Sequence, residues 1–158
     1  MDKNINKIIV ACDCSDYAPQ IFAYAVEQSQ GLGAELIVVN VINEIDLDRV
    51  ERALSTYTPF NIEDFIATQK EERAAIIQNL IQATGQSDLF KKTVFKIGVP
   101  FRELIAAIEE EHADLLIMGN KGRGNLTGVL LGSCAEKMFR RCPVALLSVR
   151  VKKTYRTL

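Results

Sequence analysis

Residues 119 to 136 read Gly-Asn-Lys-Gly-Arg-Gly-Asn-Leu-Thr-Gly-Val-Leu-Leu-Gly-Ser-Cys-Ala-Glu, five glycines gathered directly after the apolar run Leu115 to Met118. Without a Cβ the backbone can come close to a ligand, take positive φ and converge successive N–H groups on phosphate oxygens. Ser133-Cys134-Ala135-Glu136 fits the S-x-x-E capping box, which predicts a helix starting at Gly132-Ser133, its free N–H groups and positive dipole end facing the same space. Lys121 and Arg123 add positive charge beside the glycines, and Arg140 and Arg141 stand where the far end of that helix favours cations. The chemistry served by this combination is anion binding. A plain flexible surface loop also collects glycine, and composition leaves that reading open.

Neither standard phosphate motif fits. No G-x-x-x-x-G-K-[ST] occurs and Lys121 precedes its glycine, which excludes a P-loop NTPase. Gly122-x-Gly124-x-x-x-Gly128 imitates a dinucleotide fingerprint, but it follows the fourth apolar run instead of opening the first crossover. Cys12-Asp13-Cys14 is a C-x-C without a second cysteine pair, and His112 is the single histidine, so metal-ligand spacing is lacking. The apolar neighbours of Cys134 and Cys142 favour packing over redox sensing. His112 ends a helix, where it would complement the dipole, and Asn125-Leu126-Thr127 fits a glycosylation pattern that has no meaning without secretion.

The elements that must position these residues show in the apolar periodicity. Ile8 to Cys12 reads as a strand buried on both faces, Leu36 to Val41 as a second buried strand, Leu115 to Met118 and Val144 to Val149 as two more strands, and Lys91 to Ile97 as an alternating edge strand. Between them lie helices: one capped by Ser15 or Asp16, with Pro19 in its first turn, ending at Gly31-Leu32-Gly33; a long one from Glu63 to about Thr84, its apolar stripe interrupted around Gln69 and Arg73; and one from Phe101 to His112. The run Glu109-Glu110-Glu111 reads as a solvated face, and Asn43 to Asn61 as a variable connection with a turn of helix at most. Alternating strands and helices imply parallel pairing through right-handed crossovers, an open α/β sheet with helices on both faces. Ligands of such sheets bind at the carboxyl ends of the strands where strand order reverses, which singles out Asp13, Val41 and Gly119.

The 158 residues are one domain's worth of chain, 48% hydrophobic and 25% charged, long enough to bury a core without disulfides or a structural metal. A net charge of -1 argues against general nucleic-acid affinity, and the tail Arg150, Lys152, Lys153 and Arg156 is too short a basic cluster to change that. No apolar run is long enough for membrane insertion, and no export signal opens the chain, so a cytoplasmic location with reduced cysteines is expected.

Gly119-x2-Gly122-x9-Gly132-Ser133 matches the G-x2-G-x9-G-(S/T) pattern of the ATP-binding branch of the universal stress protein family, which the chain resembles over about residues 6 to 150. Supporting marks are Asp13-x-Ser15, Asn40-Val41-Ile42, Gly98-x-Pro100 and Cys142-Pro143-Val144; the sequence departs from the family pattern at Ala11, Cys12 and Cys14. The resemblance implies a Rossmann-like five-stranded parallel sheet of order 3-2-1-4-5, usually a homodimer, binding an adenine nucleotide, ATP, with or without Mg2+. By the same resemblance Asp13 and the backbone of Val41 would hold adenosine in a pocket lined by Ala11 and Met118. Gly119 and Gly122 would admit ribose and phosphates, Gly132, Ser133 and Cys134 would donate to the phosphates, and Arg123 would be a charge partner.

The function this implies is an ATP-binding regulatory protein of the stress response, reporting nucleotide state to an unidentified protein partner. A slow ATPase or autophosphorylating phosphotransferase, acting through Ser133, Thr127 or Asp13, is the enzymatic alternative. It needs a metal-holding carboxylate, and only Asp13 is supplied by the motif. A third alternative is a nucleotide-free module regulating a transporter or kinase. Homodimerisation is expected through Val144 to Val149, an apolar strand at the sheet edge.

Overall fold

Five strands are held in one parallel sheet because the three central ones are apolar on both sides and each crossover is long enough to carry a helix. The computed structural model describes residues 4–123 and 130–150. The chain runs β1 (Lys7–Ala11), α1 (Ala18–Leu32), β2 (Glu35–Asn43), α2 (Glu44–Leu54), α3 (Ile62–Ala83), β3 (Phe90–Gly98), α4 (Pro100–Glu111), β4 (Leu115–Gly119), α5 (Ser133–Arg141) and β5 (Ala145–Val149). The strand order is β3-β2-β1-β4-β5, all parallel, as the sequence led us to expect.

The strand alternation sorts the core into two layers. Ile8, Val10, Leu36, Val38 and Ile117 face α1 and α3, meeting Ile21, Phe22, Ala25, Ile77 and Ile81. Ile9, Ile37, Val39, Leu116 and Met118 face α4 and α5, meeting Phe101, Leu104, Ala107, Ile108 and Met138. Each fully buried aliphatic side chain contributes about 1.5–3 kcal/mol. Helix α1 ends where Gly33 takes φ of 68° and returns its N–H to the Ser29 carbonyl.

Several local expectations are corrected. Helix α1 has Tyr17 at its N-cap and no side-chain cap, so neither Ser15 nor Asp16 plays that part; Ser15 instead offers its carbonyl to the Ala18 N–H at 3.0 Å. The connection after β2 contains α2, a full helix of 11 residues, begun by Asn43 accepting from the Ile45 N–H at 3.0 Å. Only Leu47 is buried in it, and six of its eleven residues are charged, which gives the segment the mixed-charge look of a connection. Ile76, counted in the α3 stripe, is 42% exposed. The acidic run closing α4 is more than a solvated face, since Glu110 and Glu111 pair with Lys96 and Lys92 of the edge strand β3 at 2.7 and 2.8 Å. Those lysines also mark the edge strand with charge, which discourages pairing with another chain there.

Among the described residues, no helix is long and apolar enough to cross a membrane. Gly124, Asn125, Leu126, Thr127, Gly128, Lys152, Lys153 and Arg156, singled out above, lie outside the described residues.

His112 ends α4 in the left-handed region at φ 53°, a position that strains an L side chain. His112→Gly should therefore raise stability by roughly 0.5–1 kcal/mol, the relieved strain exceeding the added unfolded-state entropy. An unchanged or lowered urea midpoint would count against this account.

Candidate functional site

The sheet divides at the carboxyl ends of its central strands. β1 pairs with β4 only as far as Val10 opposite Ile117, whereas it follows β2 on to Ala11 opposite Val39, and the Cys12 N–H reaches the Val39 carbonyl at 2.9 Å. β4 meanwhile stays with β5 as far as Gly119 opposite Val149, and Asn120 donates to the Val149 carbonyl at 3.0 Å. The chain segments beyond Val10 and Ile117 consequently part, and a cavity of about 330 Å³ opens there. That volume lies within the range of small-ligand sites.

All ten residues singled out from the sequence line this cavity: Ala11, Asp13, Val41, Met118, Gly119, Gly122, Arg123, Gly132, Ser133 and Cys134. One end carries the features suited to an anion. Gly132 is the N-cap of α5 and Ser133 its first residue, and no side chain caps this end. The expected capping box is thus not formed, and Glu136 pairs with Arg140 at 3.1 Å instead. A helix start without a side-chain cap leaves first-turn N–H groups to be satisfied by a ligand or water.

Asn120 clips the loop closed, its Nδ2 donating to the Leu130 carbonyl at 3.1 Å and its own carbonyl accepting from Gly132 N–H at 2.8 Å. Gly122 and Gly132 lack the positive φ that glycine permits; the positive values among the described glycines fall at Gly33, Gly85 and Gly98. What favours glycine at position 122 is close approach, because a Cβ there would stand 3.1 Å from Asp13 Oδ2, and that carboxylate would have to give way.

The side of the loop after β1 is fixed by Asp13, whose Oδ1 accepts from the Ser15 N–H at 3.0 Å, leaving the other oxygen towards Gly122. Burial pushes the Cys134 thiol up to about 11, opposed by Lys137, so it is neutral near pH 7. Its contribution to an anion is therefore through the backbone.

The opposite end of the cavity holds residues that sequence reasoning missed. Arg73, from the middle of α3, lines it with Asn43 and Asp46. Its Nη1 donates to Asn40 Oδ1 at 3.1 Å and to the Val41 carbonyl at 3.3 Å, and its Nε is buried without a partner. Burial lowers its pKa, with Arg123 acting in the same direction. The available signal was the charge interrupting an otherwise apolar helix stripe. Since the Val41 carbonyl already accepts from Arg73, a ligand that uses this oxygen must share it through the second lone pair or displace the guanidinium. Lys121 also lines the cavity, giving three cations against the carboxylates of Asp13 and Asp46 among the described lining residues. No group of three or more His, Cys, Asp or Glu able to hold a metal occurs among the described residues.

An open parallel α/β sheet with a cation-bearing crevice at its strand-order reversal places the chain in the doubly wound class. A model of the universal stress protein family matches residues 4–150. The chain belongs to the universal stress protein family.

Universal stress protein YxiE of Bacillus subtilis is 26% identical over 145 residues, covering 90% of this chain and 98% of that protein. Universal stress protein MJ0577 of Methanocaldococcus jannaschii is 27% identical over 157 residues, covering 94% of this chain and 96% of its own. The solved structure of MJ0577 has a TM-score of 0.77, covering 96% of this chain and 99% of that one. Two further relatives share the fold at lower identity. A universal stress protein in complex with cAMP is 21% identical with a TM-score of 0.64, covering 94% of this chain and 98% of that one. One from Archaeoglobus fulgidus in complex with dAMP is 18% identical with a TM-score of 0.57, covering 93% and 99%.

Asn40 is fully buried, and its amide joins the two ends of this arrangement: Nδ2 donates to the Cys12 carbonyl at 2.8 Å while Oδ1 accepts from Arg73. Asn40→Leu should cost about 2–3 kcal/mol, because a buried carbonyl and a guanidinium each lose a partner. A denaturation midpoint within error of wild type would refute this.

Proposed function

We propose that this chain binds ATP, or a closely related adenine nucleotide, in the crevice between β1 and β4, and acts as a nucleotide-dependent regulatory protein of the stress response. The observation that carries the reading is the anion-suited end of the cavity: a helix start without a side-chain cap, two glycines and two cations facing one space. The phosphates would lie against Gly122, Gly132, Ser133 and Cys134, with Arg123 and Lys121 neutralising charge. Gly119 would leave room for the ribose.

The base would reach towards Val41 between Ala11 and Met118, with Asp13 accepting from the ribose. Arg73 stands at this end and would move aside or share the Val41 carbonyl. Where Mg2+ accompanies the nucleotide, Asp13 would be the motif carboxylate available to hold it. Relatives solved with cAMP and dAMP support an adenine nucleotide as the ligand class. The small number of carboxylates along the cavity favours binding over turnover, since phosphoryl transfer relies on groups that hold metal and position the nucleophile.

The protein purified without added ligand and then denatured should release ATP or a close relative. Gly122→Val should abolish retention, because its branched side chain would collide with Asp13 and obstruct the phosphate path. Ser133→Ala should weaken binding by about 1 kcal/mol, the loss of one hydroxyl hydrogen bond, with no loss of helix capping. If no nucleotide is released and calorimetry detects no ATP binding at millimolar concentration, the nucleotide-free interaction module takes the place of this reading.

The same proposal includes a homodimer. β5 forms the end of the sheet, and Leu146 and Leu147 are only half-buried along it. Antiparallel pairing of Val144 to Val149 with a second copy about a two-fold axis would satisfy both edges at once. Sedimentation at micromolar concentration should show a dimer; a purely monomeric profile would remove this part.

A further inference from the structure

The end of the cavity at Val41 is partly occupied by the protein itself. Arg73 reaches it from α3, and its Nη1 donates to Asn40 Oδ1 at 3.1 Å and to the Val41 carbonyl at 3.3 Å. Asn40 is fully buried and donates in turn to the Cys12 carbonyl at 2.8 Å, so the amide that carries the guanidinium is itself fixed. Arg73 is half-buried, and its Nε is shielded from solvent without an acceptor. A guanidinium has donors and no acceptor, so this end favours a ligand that brings an acceptor to it.

The consequence falls on one position of a purine. β1 follows β2 only to Ala11 opposite Val39, with the Cys12 N–H on the Val39 carbonyl, so the Val41 carbonyl lies past the last rung of that ladder. A strand carbonyl left bare in this way accepts from the 6-amine of adenine. It opposes the oxygen that hypoxanthine and guanine carry at the same position, since two acceptors then face each other.

Arg73 changes that polarity. One lone pair of the carbonyl is taken, and the group beside it is a cationic N–H. An amine approaching the remaining lone pair meets a second donor. A 6-oxo group meets a hydrogen that it can accept, and arginine to the guanine oxygen is the commonest specific contact to a base in protein–DNA complexes. Asp46, the carboxylate lining this end, does not reverse the balance: its side chain is 67% exposed and stands 3.7 Å from Arg49.

We propose that Arg73 determines base selectivity, cancelling the preference for a 6-amino group that the Val41 carbonyl alone would impose, so that the cavity accepts 6-oxo purine nucleotides alongside adenine nucleotides. The inference rests on the reading above, in which a purine nucleotide lies here with its base towards Val41. It adds a ligand class to that reading, and a residue outside the glycine motif that decides it. Arg73 is carried by α3, which packs on α1 and β3, whereas Gly132 and Ser133 belong to the start of α5. Base selectivity and phosphate affinity are therefore separable by substitution.

The test is calorimetry on the full chain, stripped of nucleotide, with three triphosphates compared on each protein. Inosine triphosphate replaces the 6-amine of ATP by oxygen and also carries a proton on N1. Purine riboside triphosphate has hydrogen at position 6 and keeps N1 as in ATP, so it isolates the amine. Wild type should bind both analogues within about threefold of ATP, less than one full hydrogen bond apart. Arg73→Met removes every donor while keeping a long side chain, and should bind each analogue about tenfold more weakly than ATP, the worth of one hydrogen bond regained by the amine. Arg73→Lys retains a cationic donor and should keep the wild-type ratios. Each readout is a ratio on one protein, so a loss of stability from the altered Asn40 contact does not enter it.

A wild type that favours ATP over both analogues by more than about tenfold, or ratios that are the same in Arg73→Met as in wild type, would overturn the proposal. In either case ATP still binds and the nucleotide reading stands. A wild type that binds none of the three triphosphates at millimolar concentration removes both.

Discussion

The site depends on one geometric constraint: β1 and β4 are neighbours that cannot stay paired to their ends. The crossover from β1 leads to β2 on one side, and the chain leaving β4 leads to β5 on the other. Each central strand therefore keeps its outer partner while the shared ladder stops at Val10 and Ile117. Backbone groups beyond that point are not all used between β1 and β4, and the gap is filled by side chains and loops instead of a further rung. This is the strand-order reversal at which open α/β sheets bind ligands.

A second interaction keeps the split from becoming a loose end. Asn40 lies fully buried in β2 and ties the Cys12 carbonyl, just past β1, to the Arg73 guanidinium of α3. A buried polar network of this kind stabilises only when most of its members are satisfied, and then it specifies geometry strongly. Through it the helix on one face of the sheet supplies a charge to a cavity that opens on the carboxyl edge. The same amide approaches the Cys14 sulfur at 3.8 Å.

At the other end of the cavity, backbone does the work that side chains do elsewhere. Asn120 clips Leu130 and Gly132 against the end of β4, and α5 starts from Gly132 without a side-chain cap. Had Ser133 closed a capping box with Glu136, its hydroxyl and one N–H would have been satisfied within the helix and withdrawn from any anion. Glu136 is instead held by Arg140, one turn further along the same helix.

The sequence by itself determined the sheet, its parallel sense and the group of residues that gather at its carboxyl edge. Apolar runs of strand length, amphipathic stretches between them and the spacing of Gly119, Gly122, Gly132 and Ser133 are local patterns, legible without coordinates. The residues that only tertiary structure revealed owe their positions to partners far along the chain. Arg73 joins the cavity because α3 packs against α1 and β3 and Asn40 receives its guanidinium, a contact between residues 33 positions apart. Glu110 and Glu111 become bridges only because α4 lies over β3. Helix α2 was hidden because six of its eleven residues are charged and it buries only Leu47, so it reads as a solvated connection. Whether φ or space favours glycine at position 122 was also beyond the sequence: both select the same residue, and the absence of positive φ together with the nearness of Asp13 points to space.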